Sequence, residues 1–295
     1  MKVIFVCTGN TCRSPLAEGL FKDKLQKLNI DGVEVTSAGL AAFAGDEVSA
    51  NSVNAALNYG VDISAHRARP LSPYELEDSL IFCLGTSHYN ALVPFVDEDR
   101  LFIMGEGISD PYGGTQEIYD RCAEEISQAL DGVLKLVLQK GTVIEPMKEE
   151  HISEIAEIER LCFSLPWSEN ALKDELTNEN AHFLTALTFS RVSGYIGIIE
   201  ICGEADITNI AVHPDFRRFG IGKRLLDTAE NEAVQRNCES ITLEVRESNE
   251  AAISLYSGNG YYPIGIRKNF YEKPTENAVL MTKQLTEIKY EDTCN

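Results

Sequence analysis

Cys7 closes a short apolar run, Val3 to Val6, and five residues separate it from an Arg-Ser pair, Arg13-Ser14. The intervening loop, Thr8-Gly9-Asn10-Thr11-Cys12, is small and polar, and the residues beyond Ser14 read as the first turns of a helix. A strand that ends in a thiol and passes through such a loop gathers backbone N–H groups into a nest. With the positive end of a helix dipole behind it, that nest is a receptor for a tetrahedral dianion. Gly9 permits the tight backbone, and the planar fork of Arg13 can hold two phosphoryl oxygens. The same field favours thiolate over thiol, the form in which Cys7 would attack. A lone cysteine at a strand end is more often structural. The C-x5-R-S spacing at a strand–helix junction tips the balance toward a nucleophile.

A second candidate is "HPDFRRFGIGKRLL", in which Arg217, Gly220 and Gly222 keep an R-x-x-G-x-G spacing where a strand gives way to a helix. Glycines there let the amides at the helix start approach a pyrophosphate, although a glycine pair alone is shared by many nucleotide-binding loops.

These residues need elements to hold them. Residues 2–139 alternate strand-like runs ("VIFV", "VEVTSAG", "SLIFCLG", "LFIM") with helix-like stretches ("SPLAEGLFKDKLQKL", "VSANSVNAALNYG", "QEIYDRCAEEISQALDGVLKLVL"). That alternation predicts an α/β fold with a four-stranded parallel sheet flanked by helices, and Cys7 at the carboxyl end of its first strand, where functional loops gather. After a terse "QKGT" the pattern changes. A strand-like "TVIEPM" and two helical stretches precede adjacent strands at hairpin spacing. A helix comes next with apolar Ile221, Leu225, Leu226, Ala229 and Ala233 on one face, then strand "ITLEV", helix "EAAISLY" and two closing strands. This is a second, mixed α/β domain. The expected organisation is domain 1–140, domain 143–285 and a frayed tail 286–295, in which Cys294 is incidental.

At 295 residues, 44% hydrophobic and 24% charged, the chain suits two globular domains. The eight cysteines lack the regular spacing of a disulfide scaffold or a zinc site, so a reduced, cytoplasmic setting without metal is expected. No secretory signal and no membrane span is read. The net charge of −20 is shared, with 11 Lys+Arg against 20 Asp+Glu in residues 1–140 and 15 against 26 thereafter. Nucleic-acid binding needs a basic face and is not expected of either half. An acidic surface suits basic protein substrates, and equally well merely keeps a protein soluble.

"VCTGNTCRSPLAEGLF", "VTSAG", "VDISAHRARPL" and "DPYGG" together resemble the low-molecular-weight protein phosphatase family over nearly all of residues 1–140. The resemblance implies that Cys7 attacks phosphorus to form a phosphocysteine, while Arg13 and the loop amides of residues 8–13 stabilise the equatorial oxygens. It implies that Ser14 hydrogen-bonds the thiolate, that Asn10 braces the loop, and that Asp110 protonates the leaving group and then activates water. From the residues alone, Asp110 before Pro111 is an ordinary turn aspartate. Within the family, tyrosine phosphatases usually carry a bulky aliphatic residue where Thr11 stands. Thr11, with Gly113 and Gly114 in place of a frequent aromatic, is similar to the protein arginine phosphatases, whose substrate guanidinium a hydroxyl can engage. Packing within the loop is the other reading of Thr11, and phosphotyrosine the other substrate, since one methyl-sized change is worth only about 1–3 kcal/mol in a pocket. A thioredoxin-coupled arsenate reductase would need shuttle cysteines that the segment after Cys83 lacks. By the same resemblance Cys12 could form a protective disulfide with Cys7; a small apolar filler is the alternative.

"ITNIAVHPDFRRFGIGKRLL", "LEVRESNEAAISLYSGNGY" and "CFSLPWSENAL" resemble the GNAT acetyltransferases, and within them the ribosomal-protein alanine N-acetyltransferase group. That implies acetyl-CoA as cosubstrate, with the backbone of Ile210, Ala211 and Val212 along the pantetheine arm. It implies residues Arg217, Arg218, Phe219, Gly220, Ile221 and Gly222 around the pyrophosphate, and a further contact from Asn249. Glu244 would be the general base for the attacking α-amine and Tyr256 the acid for the departing thiolate. A solvated strand residue and a core aromatic are their respective bland alternatives. Trp167 would line the peptide groove or pack in the core. Asn277 stands where the group usually has Asp, which bears on the peptide site. His182 and His213 show no partner spacing and read as structural. The expected whole is a bifunctional enzyme acting on phosphorylated proteins and on a ribosomal protein N-terminus. The alternative is a tyrosine phosphatase joined to an acetyltransferase for another protein or a small amine.

Overall fold

The structure, a computed structural model, describes residues 1–285; the expected tail 286–295 and its Cys294 lie outside the described residues. The chain divides into two compact units, Met1–Lys140 and Gly141–Asn295. The stretch "QKGT" is not a separate linker, because a helix runs through Lys140 and a strand begins at Thr142.

The first unit runs β1 (Lys2–Cys7), α1 (Arg13–Lys27), β2 (Glu34–Gly39), α2 (Ala50–Leu57), β3 (Ser79–Cys83), α3 (Thr86–Leu92), β4 (Leu101–Ile103), α4 (Gln116–Lys140). Its four strands pair in the order β2-β1-β3-β4, all parallel. β1 is central, which explains why Val3 to Cys7 is a continuous buried run rather than an alternating one. α4 buries Tyr119, Ala123, Ile126, Leu130, Val133 and Val137, the stripe expected of a helix covering a sheet. The short α3, which opens beyond Gly85, is not among the expected helices; only His88 and Leu92 of its seven residues are buried, too few to show a period.

The second unit runs β5 (Thr142–Pro146), α5 (Ile152–Cys162), α6 (Glu169–Glu175), β6 (Ala181–Thr188), β7 (Arg191–Ile201), β8 (Glu204–Val212), α7 (Ile221–Gln235), β9 (Ser240–Arg246), α8 (Glu250–Gly258), β10 (Tyr262–Glu272), β11 (Thr275–Gln284). Its seven strands pair in the order β10-β11-β9-β8-β7-β6-β5. All neighbours are antiparallel except β8 and β9. Register shifts occur in the β10–β11, β6–β7 and β7–β8 pairings, and two features of β8 shape the site. Asn209 pairs with Gly197 and Ile207 with Ile198, so Thr208 is an extra residue in the strand. The parallel β8–β9 ladder ends at Ile207↔Leu243, while β8 continues to Val212 and β9 to Arg246. Beyond that point the two strands no longer pair, and a cleft opens between them.

Candidate active sites

In the first unit the loop after β1 wraps around Cys7, a residue 3% exposed. Cys7 Sγ accepts from the Asn10 amide at 3.2 Å and lies 3.0 Å from Ser14 Oγ. Asn10 holds the turn in the left-handed region (φ 55°). Its side chain donates to Ser14 Oγ (2.9 Å) and Ser37 Oγ (2.8 Å) and accepts from the Arg69 amide (3.0 Å). The loop amides of Gly9, Thr11, Cys12 and Arg13 find no acceptor among the described residues, and α1 starts directly behind them. Glycine is required across the way: a Cβ on Gly39 would come within 2.6 Å of the Thr8 carbonyl. Arg13 is buried, its side chain 9% exposed, and its guanidinium meets Asp110 Oδ2 at 2.8 Å, with the Asp110 side chain 55% exposed. Expected residues Cys7, Arg13, Asp110 and Thr8 to Ser14 are therefore brought together.

Thr11 lies half-buried on the loop, its Oγ1 3.7 Å from Cys12 Sγ and its carbonyl bonded to the Ser49 amide. Cys12 is a free thiol facing the Tyr119 hydroxyl at 3.4 Å, and burial together with that contact pushes Tyr119 up to about 12. Burial likewise pushes the Cys83 thiol up to about 12, so it stays protonated near neutrality. Tyr112 projects beside Asp110, 81% exposed, and Gly113 adopts φ 74°, which favours glycine there.

Sequence reasoning missed three supports of this loop. His88, on α3, places Nε2 3.0 Å from Thr8 Oγ1. Burial lowers its pKa, helped by the Arg13 charge, so the ring is neutral near pH 7. His66 Nε2 lies 3.0 Å from the Asn10 carbonyl, and Glu18 accepts from Ser37 Oγ at 2.6 Å. His88 lies just past the carboxyl end of β3, the same place in the fold that made Cys7 a candidate.

In the second unit the divergence of β8 and β9 forms a cleft of about 910 Å³, within the range of ligand sites. Asn209, Ile210, Glu244, Asn249, Tyr256 and Trp167 all line it. Burial raises the Glu244 pKa; Arg267, ion-paired to it at 2.5 Å, pulls the other way, and nearby Asp206 adds to the rise. Asp206 also lines the cleft and is raised, first by burial and then by Glu204. Burial holds the Tyr256 hydroxyl well above the usual tyrosine range, so it is a proton donor rather than a phenolate. Tyr271, whose hydroxyl donates to the Glu244 carbonyl (3.2 Å), lies under the Arg246 guanidinium at 4.2 Å.

Near α7 the expected loop takes the turn its glycines imply: Arg218 (φ 71°) and Gly220 (φ 86°) are both left-handed, and Gly220 caps the helix. The first amides of a fifteen-residue α7 then point out of the helix without intrahelical acceptors. Two expected ligand contacts are differently engaged. The Arg217 side chain folds back onto the Val212 carbonyl (3.2 Å) and Cys162 Sγ (3.2 Å). The Asn249 side chain caps α8 by accepting from the Ala252 amide. Of the residues expected around the cosubstrate, Ile210 and Asn249 line the cleft, while Ala211, Val212 and the turn from Arg217 to Gly222 are not part of its lining.

Other expectations also meet partners. Asn277 accepts from the Asn269 amide and donates to Glu247, bridging the ends of β9, β10 and β11. His182 lies 3.5 Å from Glu200, and His213 accepts from the Asp215 amide. Glu145, Glu150 and His151 bring one possible metal-ligand atom each within 4.8 Å of one another, and none of the three lines the cleft.

A family model described as low molecular weight phosphotyrosine protein phosphatase matches residues 2–143, and one described as the acetyltransferase (GNAT) family matches residues 152–261. A protein-arginine-phosphatase of Geobacillus stearothermophilus is 31% identical over 140 residues, 44% of this chain and 91% of that protein. A ribosomal protein bS18-alanine N-acetyltransferase of Haemophilus ducreyi is 36% identical over 150 residues, 48% of this chain and 100% of that one. The corresponding enzyme of Escherichia coli K12 is 37% identical over 130 residues, 42% of this chain and 84% of that one. The chain thus belongs to the low-molecular-weight phosphatases through its first unit and to the GNAT acetyltransferases, which use acetyl-CoA, through its second. It is a bifunctional enzyme, a protein phosphatase joined to an N-acetyltransferase.

Proposed function

We propose that the first unit removes the phosphoryl group from phosphoarginine in proteins, and that the second acetylates the N-terminal alanine of a ribosomal protein. The phosphatase half rests on one geometry above all, a Cys7 sulfur bonded to the Asn10 amide and beside Ser14 Oγ, with Arg13 and Asp110 paired nearby. The phosphoryl oxygens sit in the nest, Arg13 turns its fork to them, and Cys7 attacks phosphorus. The P–N bond breaks as Asp110 gives its proton to the leaving guanidine nitrogen. Asp110 then takes a proton from water, whose oxygen attacks phosphocysteine and releases inorganic phosphate and the Cys7 thiolate. Ser14 and the Asn10 amide hold the thiolate in both steps. Neither step calls on a metal.

Phosphoarginine is favoured by the short, hydroxyl-bearing Thr11 on the loop, and by the arginine-phosphatase relative. Tyr112, exposed beside Asp110, could instead flank a phenyl ring, which keeps phosphotyrosine as the rival. The test is kcat/KM on matched phosphoarginine and phosphotyrosine peptides for wild type and Thr11→Ile. A phosphoarginine preference that falls by about 10–200-fold in the variant is expected. A tyrosine preference untouched by the substitution would contradict the proposal.

In the second unit, acetyl-CoA supplies an activated acyl group. Its arm would lie along Ile210 to Val212, with its pyrophosphate at the left-handed turn before α7. Glu244, its pKa raised by burial, would take the proton of the α-ammonium or amine, and Tyr256 would protonate the departing thiolate. The alanine-acetylating relatives support the peptide substrate. A ribosomal protein substrate places the enzyme in the cytoplasm. Among the described residues, no helix is long and apolar enough to cross a membrane. Acidic halves speak against nucleic-acid partners.

A further inference from the structure

The proposed chemistry leaves two buried carboxylates in the second unit without a task, and one of them, Glu230 on α7, is ion-paired with Lys283. The other, Glu159, on α5, is 0% exposed. Three donors converge on it. The Tyr195 hydroxyl and Asn209 Nδ2 (3.1 Å) donate to Oε1, and the Trp167 backbone N–H donates to Oε2 at 2.6 Å. These donors come from β7, β8 and the loop between α5 and α6, and none of them is a cation. Burying a carboxylate among neutral groups is costly, and replacement by an apolar side chain would serve packing as well. Its presence calls for a geometric explanation.

Two of the three donors lead to the cleft. Trp167 and Asn209 line it, as do Phe163 and Leu165 of the same loop. The Trp167 ring lies 6.1 Å from Phe183, which stacks on Tyr195 at 6.5 Å, so an aromatic row backs the loop while Glu159 fixes its main chain. Asn209 sits beside the extra residue Thr208, where β8 leaves regular pairing and its side chains need another anchor. One carboxylate therefore ties the loop after α5 to the bulged strand, two parts of the cleft's lining.

We propose that Glu159 is the positioning residue for the peptide side of the cleft: it holds the Leu165–Trp167 loop and Asn209 at a fixed separation and so sets affinity for the first residues of the acceptor peptide. It touches neither substrate and moves no proton. The inference rests on the acetyltransferase reading of the second unit. A residue that merely stabilises the fold would, when changed, weaken both substrates together.

Glu159→Gln separates these cases. One amide oxygen can serve the Trp167 N–H or the Tyr195–Asn209 pair, but not both. With the full-length protein and an alanine-starting peptide, the variant is expected to raise the peptide KM by about tenfold, leaving the acetyl-CoA KM and kcat within about twofold. Trp167 is the only tryptophan in the chain, so its emission reports the loop directly and is expected to shift to the red. Tyr195→Phe removes a single donor from a residue that does not line the cleft, and should move the peptide KM the same way by about threefold. It carries the test should Glu159→Gln fail to fold. If wild type acetylates the peptide but the variants leave the ratio of the two KM values and the Trp167 emission unchanged, the inference is overturned alone. A wild type that acetylates no peptide would remove the acetyltransferase reading, and the inference with it.

Discussion

Between Cys7 and Ser14 a single stretch of chain supplies the sulfur, the guanidinium and the amides of one site, and Asp110 is the main group that must come from elsewhere. The cleft of the second unit draws its lining from β8, β9, β10, α8 and the loop after α5, with no one segment dominant. The first site is locked by a dense hydrogen-bond network around Asn10, whereas the second is a gap left where two strands stop pairing. A contiguous receptor suits a small, highly charged group whose geometry never varies. A divergent cleft suits a long cosubstrate and an extended acceptor laid across it. The contrast predicts that single substitutions cut deep in the first unit and are spread more thinly in the second.

The largest effect expected short of removing a nucleophile is that of Asp110→Asn. The amide cannot deliver or collect the proton, so phosphatase turnover should fall by about 10²–10⁴-fold with little change in folding, as steady-state kinetics and a melting curve would show. An unchanged rate would mean that the exposed Asp110 is only the counter-ion of Arg13.

Next comes Asn10→Ala, which takes one partner each from Ser14 and Ser37, leaves the Arg69 amide without its acceptor and puts alanine at a left-handed backbone. A loss of roughly 1–3 kcal/mol in stability is expected, with phosphatase activity lost and acetyltransferase activity kept. Its counterpart in the second unit, Asn249→Ala, removes one helix cap and should cost only about 1 kcal/mol. Denaturant melts of the two variants compare the sites directly, and equal losses would erase the contrast.

The smallest change expected is in a pH profile. The proposed base, Glu244, would act only when deprotonated, so acetyl transfer is expected to fall as pH drops through its raised pKa. Arg267 opposes that rise, and Arg267→Met should move the acid limb of kcat/KM further toward neutral pH. Because the Arg267 side chain is largely exposed, the move should be modest. A limb that moves to lower pH would exclude Glu244 as the titrating group.

The same contrast governs how much could be read from the chain alone. The loop from Cys7 to Ser14 was legible because its chemistry is local: a buried run, a glycine, an arginine and a helix start occupy adjacent positions. His88 was not, since its contact with Thr8 spans 80 residues and exists only because β1 and β3 are neighbours in the sheet. In the second unit the strands and the α7 turn were legible from period and glycine spacing, but Glu244 and Tyr256 stood out only through family resemblance. Arg217 and Asn249 show the limit of motif reading, for their side chains are engaged with the protein's own carbonyl, thiol and amide groups. The Glu159 cluster joins residues 36 and 50 positions apart across three elements, and no spacing could have announced it.

The central claim is that one chain carries two independent catalytic centres. It is tested most directly by measuring both activities, phosphatase on a phosphoarginine peptide and acetyl transfer to an alanine-starting peptide, in wild type, Cys7→Ser and Glu244→Gln. The account predicts that Cys7→Ser abolishes the first and spares the second, with Glu244→Gln doing the reverse. A wild type lacking either activity, or a single variant that silences both, would contradict it.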